Sequence, residues 1–228
     1  MRETTMADSQ KTLGIIHAVN LTIRAMQPFL EKYIPDIEVV HLCDDTIQRD
    51  NIRAGVGVIP KTNYYKFAQY AHNLQEAGAD MILLACSTFN YAAELARPMI
   101  DIPIMQIDRP MMELAVCAGT RVGLLATLAT TVPSSERLLR IVAAEQKKEV
   151  EVTTVLREEA FRAIQKGDAE THNAILLEEI EKLSGLVDSI VLAQLSMSAL
   201  APHITRTRVP VYDSGTTGFG RIRQMLAK

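Results

Sequence analysis

The sequence predicts an α/β protein in which one strand–helix unit occurs twice. Three observations carry that reading. Short apolar runs recur along the chain, segments of helical periodicity separate them, and two of the runs have counterparts a little over a hundred residues later. The runs cover residues 13–16, 37–42, 81–85, 103–107, 122–126, 150–155, 190–193 and 209–212. Each is too short for a helix and is bounded by turn residues, as strands buried on both faces should be. Residues 64–77 place Phe67, Ala71 and Leu74 at i, i+4 and i+7 and stop at Gly78, so a helix is expected there. Asp108-Arg109-Pro110 reads as an N-cap followed by an early proline, and a helix should open on it. Residues 134–148 align Leu138, Leu139, Val142 and Ala143, with Lys147 and Lys148 at the dipole-favoured end. Residues 169–183 align Ile175, Leu176, Glu179, Ile180 and Leu183. Alternation of this kind implies α/β architecture with right-handed crossovers.

The repeat is short but occurs at two independent strand ends. Gly14-Ile15-Ile16 matches Gly123-Leu124-Leu125 at an offset of 109, and Leu83-Leu84-Ala85-Cys86 matches Val191-Leu192-Ala193-Gln194 at an offset of 108. The repeated halves then cover about 12–110 and 118–205, with no long linker. The final strand and helix, 209–228, are expected to return to the first half. That gives one domain of residues 12–115 plus 206–228 and a second of residues 116–205. In open α/β sheets a ligand lies beyond the carboxyl ends of the strands, and a two-domain protein binds in the cleft between its halves.

Composition narrows the class. The chain has 228 residues, 48% of them hydrophobic and 22% charged, which excludes a disordered or collagen-like protein. A chain of this length buries roughly 70% of its unfolded surface and needs no disulfide or metal staple. The net charge of −3 with scattered basic residues points to no nucleic-acid or membrane-surface partner. The longest apolar run, Met81 to Cys86, is far too short to span a membrane. Residues 1–11 lack an apolar core, so they read as a frayed terminus rather than a signal peptide, and the protein as cytoplasmic. Three cysteines without CxxC argue against a disulfide framework or zinc ribbon.

Polar residues gather just after the expected strands. His17 and Asn20 follow the first, and Cys43, Asp44 and Asp45 the second. Cys86, Ser87 and Thr88 follow the third, and Thr127, Thr130 and Thr131 the fifth. Gln194, Ser196 and Ser198 follow the seventh, and Asp213, Ser214, Thr216 and Thr217 the last. Each Ser or Thr can simply cap a helix, but hydroxyls and free N–H groups converging on one edge also make an anion site. Without an Arg or Lys cluster, such a site suits a small carboxylate better than a nucleotide. Cys86 is the leading catalytic candidate. It sits where a buried strand meets a polar turn ahead of a helix, a setting that lowers a thiol's pKa from near 8.5. The alternative is a buried cysteine acting as a small hydrophobe, which is how Cys117, inside an apolar helical stretch, is read. Cys43 stays open. The five histidines (His17, His41, His72, His172 and His203) show no ligand spacing, so no metal is expected. GxGxxG, GxSxG, HExxH and P-loop motifs are all missing.

The segments LGIIHAV at 13–19, LLACST around Cys86, RVGLLATLATT at 121–131 and IVLAQLSM at 190–197 together resemble the aspartate/glutamate/hydantoin racemase superfamily. The resemblance runs in order from Leu13 onward. It implies two similar Rossmann-like domains with parallel sheets, related by a pseudo-twofold axis, with the active site in the cleft. It also implies a dimer and chemistry with neither pyridoxal phosphate nor metal. Members carry one cysteine from each half, one removing the α-proton and the other returning it to the opposite face. Cys86 matches the first, but Gln194 stands where the second should be. An amide cannot act as a general acid or base, so two-thiol racemisation is not supported. Three chemistries stay open: isomerisation with His17, Asp44 or a water opposite Cys86, single-thiol decarboxylation, and covalent attack by Cys86 in an isomerase or hydrolase. All need donors aimed at a developing enolate, each typically worth about 100- to 1000-fold in rate. Thr88, Thr127, Thr130 and Thr131 are the expected donors. Ser87, Ser196, His17, Asn20, Asp44 and Gln194 are expected to contact substrate. A small-carboxylate binding protein on the same cleft is the non-enzyme alternative.

Overall fold

The computed structural model describes residues 10–227. Four parallel strands, β1 (Thr12–His17), β2 (Glu38–Cys43), β3 (Met81–Leu84) and β4 (Ile104–Gln106), form a sheet in the order β2-β1-β3-β4. A second sheet repeats that order as β6-β5-β7-β8, from β5 (Arg121–Ala126), β6 (Glu151–Leu156), β7 (Ser189–Leu192) and β8 (Val211–Asp213). All eight apolar runs are therefore strands. The central β1, β3 and β7 are buried along their whole length, whereas the edge strands β2 and β6 are partly exposed.

Nine α-helices flank the sheets among the described residues: α1 (Leu21–Tyr33), α2 (Asp45–Ala54), α3 (Lys61–Glu76), α4 (Tyr91–Ala96), α5 (Arg109–Ala118), α6 (Val132–Glu145), α7 (Glu158–Gln165), α8 (Ala169–Leu183) and α9 (Ser214–Leu226). The repeated glycines show what the duplication preserves. A Cβ on Gly14 of β1 would lie 3.0 Å from Leu74 Cδ1 of α3, and one on Gly123 of β5 would lie 3.6 Å from Leu183 Cδ1 of α8. In both halves a helix packs over the strand backbone; at Gly14 a side chain would press on α3, whereas at Gly123 the tight neighbour is Val187 at 3.3 Å, just beyond α8.

The last two elements do not stay together. Expected to return as a pair to the first half, β8 instead pairs with β7 in the second sheet, with Leu192 opposite Asp213. Only α9 crosses back. Its Phe219, Ile222 and Leu226 pack with Leu13, Ile15, Met81 and Leu83 of the first sheet. Helix α5 makes the reciprocal move: it follows β4 of the first sheet, yet its Met111, Met112, Ala115 and Val116 pack with Val122, Leu124 and Val191 of the second. The two exchanged helices also touch, and Arg221 of α9 pairs with Glu113 of α5 at 2.9 Å. Close approach depends on small residues here too, since a Cβ on Gly218 would sit 2.9 Å from the Ile107 carbonyl oxygen.

Two smaller expectations change. Asp108, read as the cap of α5, makes no capping hydrogen bond, and its side chain turns into the protein instead. Of the terminus read as frayed, residues 1–9 lie outside the described residues. Gln10 and Lys11 are tied down, by hydrogen bonds to the Asp36 carbonyl (3.1 Å) and the Asp80 carboxylate (2.7 Å). Among the described residues no helix is long and apolar enough to cross a membrane.

Because α9 covers a sheet to which its own strand does not belong, Phe219→Ala should lower unfolding free energy by about 3–5 kcal/mol in a urea titration. Met225→Ala, at a position 37% exposed on the same helix, should change it by no more than about 0.5 kcal/mol.

Candidate active site

Cys86 lies two residues beyond β3 and immediately ahead of a short 3-10 segment spanning Ser87–Phe89. The residue is half-buried, packing against the core on one side. Burial pushes its thiol up to about 12. The Thr88 and Phe89 N–H groups pull the other way, and the Asp108 carboxylate adds to the rise. Neither N–H closes a capping hydrogen bond on the sulfur. The lowered thiol pKa expected at this position is therefore corrected: desolvation outweighs the backbone donors, and resting Cys86 carries its proton.

The strand ends of the two halves meet around this turn. Thr88 Oγ1 lies 3.5 Å from Thr131 Oγ1, at the start of α6, and both residues are buried. Gln194 directly follows Ala193 at the end of β7, and its Oε1 accepts a hydrogen bond from the Thr127 N–H at 3.1 Å. That bond fixes the orientation of the amide, because a backbone N–H can only donate. Gln194 Nε2 then remains a buried donor without a partner in the protein. Thr130 lines the cavity described below, while Thr127 contributes its backbone rather than its hydroxyl.

Asp108, reached from the end of β4, is fully buried beside this turn. Its Oδ2 accepts from Asn90 Nδ2 at 2.9 Å, while Oδ1 has no hydrogen-bond partner. Burial raises its carboxyl to about 6, against the opposing pull of Asn90 and of the nearby Ser87 and Ser214 hydroxyls. Ser214, the first residue of α9, is itself buried with an unpartnered Oγ. The exchanged helix thus brings its N-terminal turn to the same polar cluster.

His17 and Asp44 are more committed than the sequence suggests. Thr22 Oγ1 donates to the Val19 carbonyl, so it must accept from His17 Nδ1–H (2.7 Å). His17 Nε2 then accepts from His41 Nδ1–H at 2.9 Å. His17 is wholly buried with both ring nitrogens used, and desolvation, helped by His41, lowers its pKa to about 4. Asp44 caps α2 through the Thr46 N–H (2.9 Å) and accepts from Tyr70 Oη at 2.7 Å, with Lys66 Nζ at 3.4 Å. Burial pushes its carboxyl up, but these partners outweigh it and hold it below the usual range. Neither residue offers a free atom to a ligand. Asn20 and Ser196 are exposed, whereas Ser198 is buried and accepts from the Gly215 N–H at 3.0 Å. Cys43 and Cys117 are exposed as well, so Cys117 is not the packing residue expected.

A cleft open to solvent runs alongside Thr88 and Phe89. One wall comes from the first half, including Asn51 of α2, Gly57 of the turn after it and Tyr64 of α3, and the other from Thr130, Ser134 and Arg137 of the second. Arg137 brings a cation that sequence reading missed, and its guanidinium lies 3.3 Å above the Tyr91 ring. Asp108 and Asn51 were missed as well. Asp108 was absorbed by a capping pattern, and Asn51 has no motif around it.

A family model described as Asp/Glu/Hydantoin racemase matches residues 27–221. Comparison with curated proteins finds no match. Among solved structures, an aspartate racemase homologue from Pyrococcus horikoshii superposes with a TM-score of 0.72 at 19% identity, covering 96% of this chain and 100% of that one. Allantoin racemase from Klebsiella pneumoniae gives 0.63 at 19% identity, covering 96% and 88%. Glutamate racemase from Francisella tularensis, solved with D-glutamate, gives 0.67 at 17% identity, covering 96% and 81%. At these identities the likeness establishes the two-sheet fold.

The buried His17, hydrogen-bonded to the exposed His41, makes stability depend on pH. The unfolded chain takes up the His17 proton near 6.5 and the folded chain only near 4, so stability falls as the pH drops through that window. His17 should cost about 2 kcal/mol between pH 7 and pH 5, measured as the shift in urea unfolding free energy. In His17→Gln the decline over that interval should flatten.

Proposed function

Since this chain belongs to the Asp/Glu/Hydantoin racemase family, we propose that it is a cofactor-independent isomerase acting at the carbon next to a carboxylate, with Cys86 as its acid–base group. The observation that carries this reading is the buried, unpartnered Nε2 of Gln194, which follows the second sheet's β7 as Cys86 follows the first sheet's β3. An unpartnered buried donor costs roughly 1–3 kcal/mol unless a ligand accepts from it. A substrate carboxylate, or the enolate oxygen that develops from it, is the matching acceptor. Thr88 and Thr131 supply hydroxyls on the same edge.

In the proton transfer, the Cys86 thiolate takes the α-hydrogen and becomes a thiol, and the electron pair left on carbon spreads onto the carboxylate as an enediolate. Returning a proton from the other side completes the inversion. The Gln194 amide is no general acid, and His17 and Asp44 are occupied, so on that side the proton comes from water. Forming the thiolate is the demanding step, because a thiol raised to about 12 is almost wholly protonated at neutral pH. Asp108, whose charge the thiol feels, opposes that step when ionised and eases it when protonated.

The protonated resting thiol also favours a second reading, in which the substrate loses CO2 and Cys86 delivers one proton to the resulting enediolate. Solvent deuterium separates the two. An isomerase washes deuterium into the α-position without releasing CO2, whereas a decarboxylase releases CO2 and incorporates one deuteron. Cys86→Ser should abolish either activity, and Gln194→Ala should lower kcat roughly 100- to 1000-fold. Full activity in Cys86→Ser overturns the assignment.

The state of the thiol is testable without a substrate. At pH 8 the exposed Cys43 and Cys117 should be alkylated by iodoacetamide well before Cys86, with the order read by peptide mass spectrometry.

A further inference from the structure

We propose that Asn51 and Arg137 form a clamp, one jaw from each half of the molecule, that grips a carboxylate of the substrate in the cavity beside Thr88. The proposal takes its ligand class from the function proposed above and assigns the residues that read it.

The first jaw is a buried amide with a fixed orientation. Asn63 Nδ2 donates both to the Ile47 carbonyl (3.1 Å) and to Asn51 Oδ1 (2.8 Å). The carbonyl can only accept, so Asn63 must present its NH2 group there, and Asn51 must present its oxygen. Asn51 Nδ2 is left pointing away from that bond, without a hydrogen-bond partner, on a residue that is 1% exposed and lines the cavity. Buried amide donors are almost always paired, and this one belongs to a residue on the cavity wall.

The second jaw is a cation with no counter-ion. Among the described residues no carboxylate lies within 4.0 Å of Arg137, as is also true of Arg24 and Arg53, but Arg137 alone of these three lines the cavity. Its guanidinium is held over Tyr91, a residue of the first half, and Tyr91 in turn meets Tyr64 edge-on at 6.3 Å between ring centroids. The aromatic face orients the planar cation while leaving its N–H edge free to donate. A donor fixed on one wall and an unpaired cation on the other match an anionic oxygen group, and a carboxylate has the planar form that a guanidinium reads.

Isothermal titration calorimetry tests the clamp with two probes, butyrate and succinate, on the wild-type protein and on Arg137→Met, Arg137→Lys and Asn51→Asp. Arg137 is exposed, so its variants should fold. Asn51→Asp keeps the oxygen that Asn63 needs, and its melting temperature is compared with wild type. Arg137→Met should weaken binding roughly 10- to 100-fold. Arg137→Lys should recover part of that loss, and Asn51→Asp should weaken binding at least as much as Arg137→Met. Arg137-dependent binding of butyrate assigns the clamp to the carboxylate at the reacting carbon, and dependence seen only with succinate assigns it to a second carboxylate. Equal affinity in wild type and Arg137→Met overturns the clamp, as does failure of the wild-type protein to bind either acid. Clamp-dependent binding by a protein whose wild-type form performs no α-exchange or decarboxylation overturns the catalytic reading alone, whereas exchange insensitive to Arg137 overturns the clamp alone.

Discussion

The reciprocal exchange of α5 and α9 is the constraint on which the rest of the molecule depends. Each helix leaves the sheet whose last strand precedes it and buries its apolar stripe on the other sheet. Burial of this kind is worth roughly 25 cal/mol per Å2 of apolar surface, and each exchanged helix commits an entire stripe to the opposite half. The relative placement of the sheets is thereby fixed by core packing, not by a surface contact. Because each exchanged helix starts at the carboxyl end of a strand, the exchange also brings those ends together. Asp108 and Ser214 reach the Cys86 turn because they stand at the starts of these two helices.

Around that turn the protein leaves several polar atoms buried without partners. Gln194 Nε2, Asp108 Oδ1, Ser214 Oγ and Asn90 Oδ1 belong to strand ends and first turns, Asn51 Nδ2 belongs to the cavity wall, and Gln48 Oε1, Asn63 Oδ1 and Ser135 Oγ lie on helices α2, α3 and α6. Dense apolar packing on both faces of each sheet leaves these groups little water, which is also why the Cys86 thiol and Asp108 carboxyl are pushed up together. A site of this kind is held in readiness by the fold, with its donors desolvated before any ligand arrives.

How much of this is legible in the sequence follows from what each signal measures. Strands buried on both faces appear as continuous apolar runs, so β1, β3 and β7 could be read directly, and the Gly14 and Gly123 repeat marked equivalent helix contacts. The partner of β8 could not be read, because both sheets offer similar apolar edges and only tertiary packing separates the strand from its helix. Cys86 could be placed at a strand end from local pattern, but its pKa depends on what covers it, which lies far away in sequence. Asp108 carried a capping signature that its side chain does not use. Arg137 sits on an ordinary amphipathic helix and becomes distinctive only when Tyr91, from the other half, comes beneath it. His17 was rightly seen at a strand end, but the neighbouring edge strand supplies the imidazole that occupies it.

The crossing of the two helices bears on how a tandem protein of this kind can arise. A half-length chain with this strand order would send its last helix away from its own sheet and leave one sheet face bare. Such a unit could satisfy itself only by trading that helix with an identical copy. The present polypeptide closes the trade on itself, so its two halves are mutually completed from the start, and neither is a module that could be excised whole.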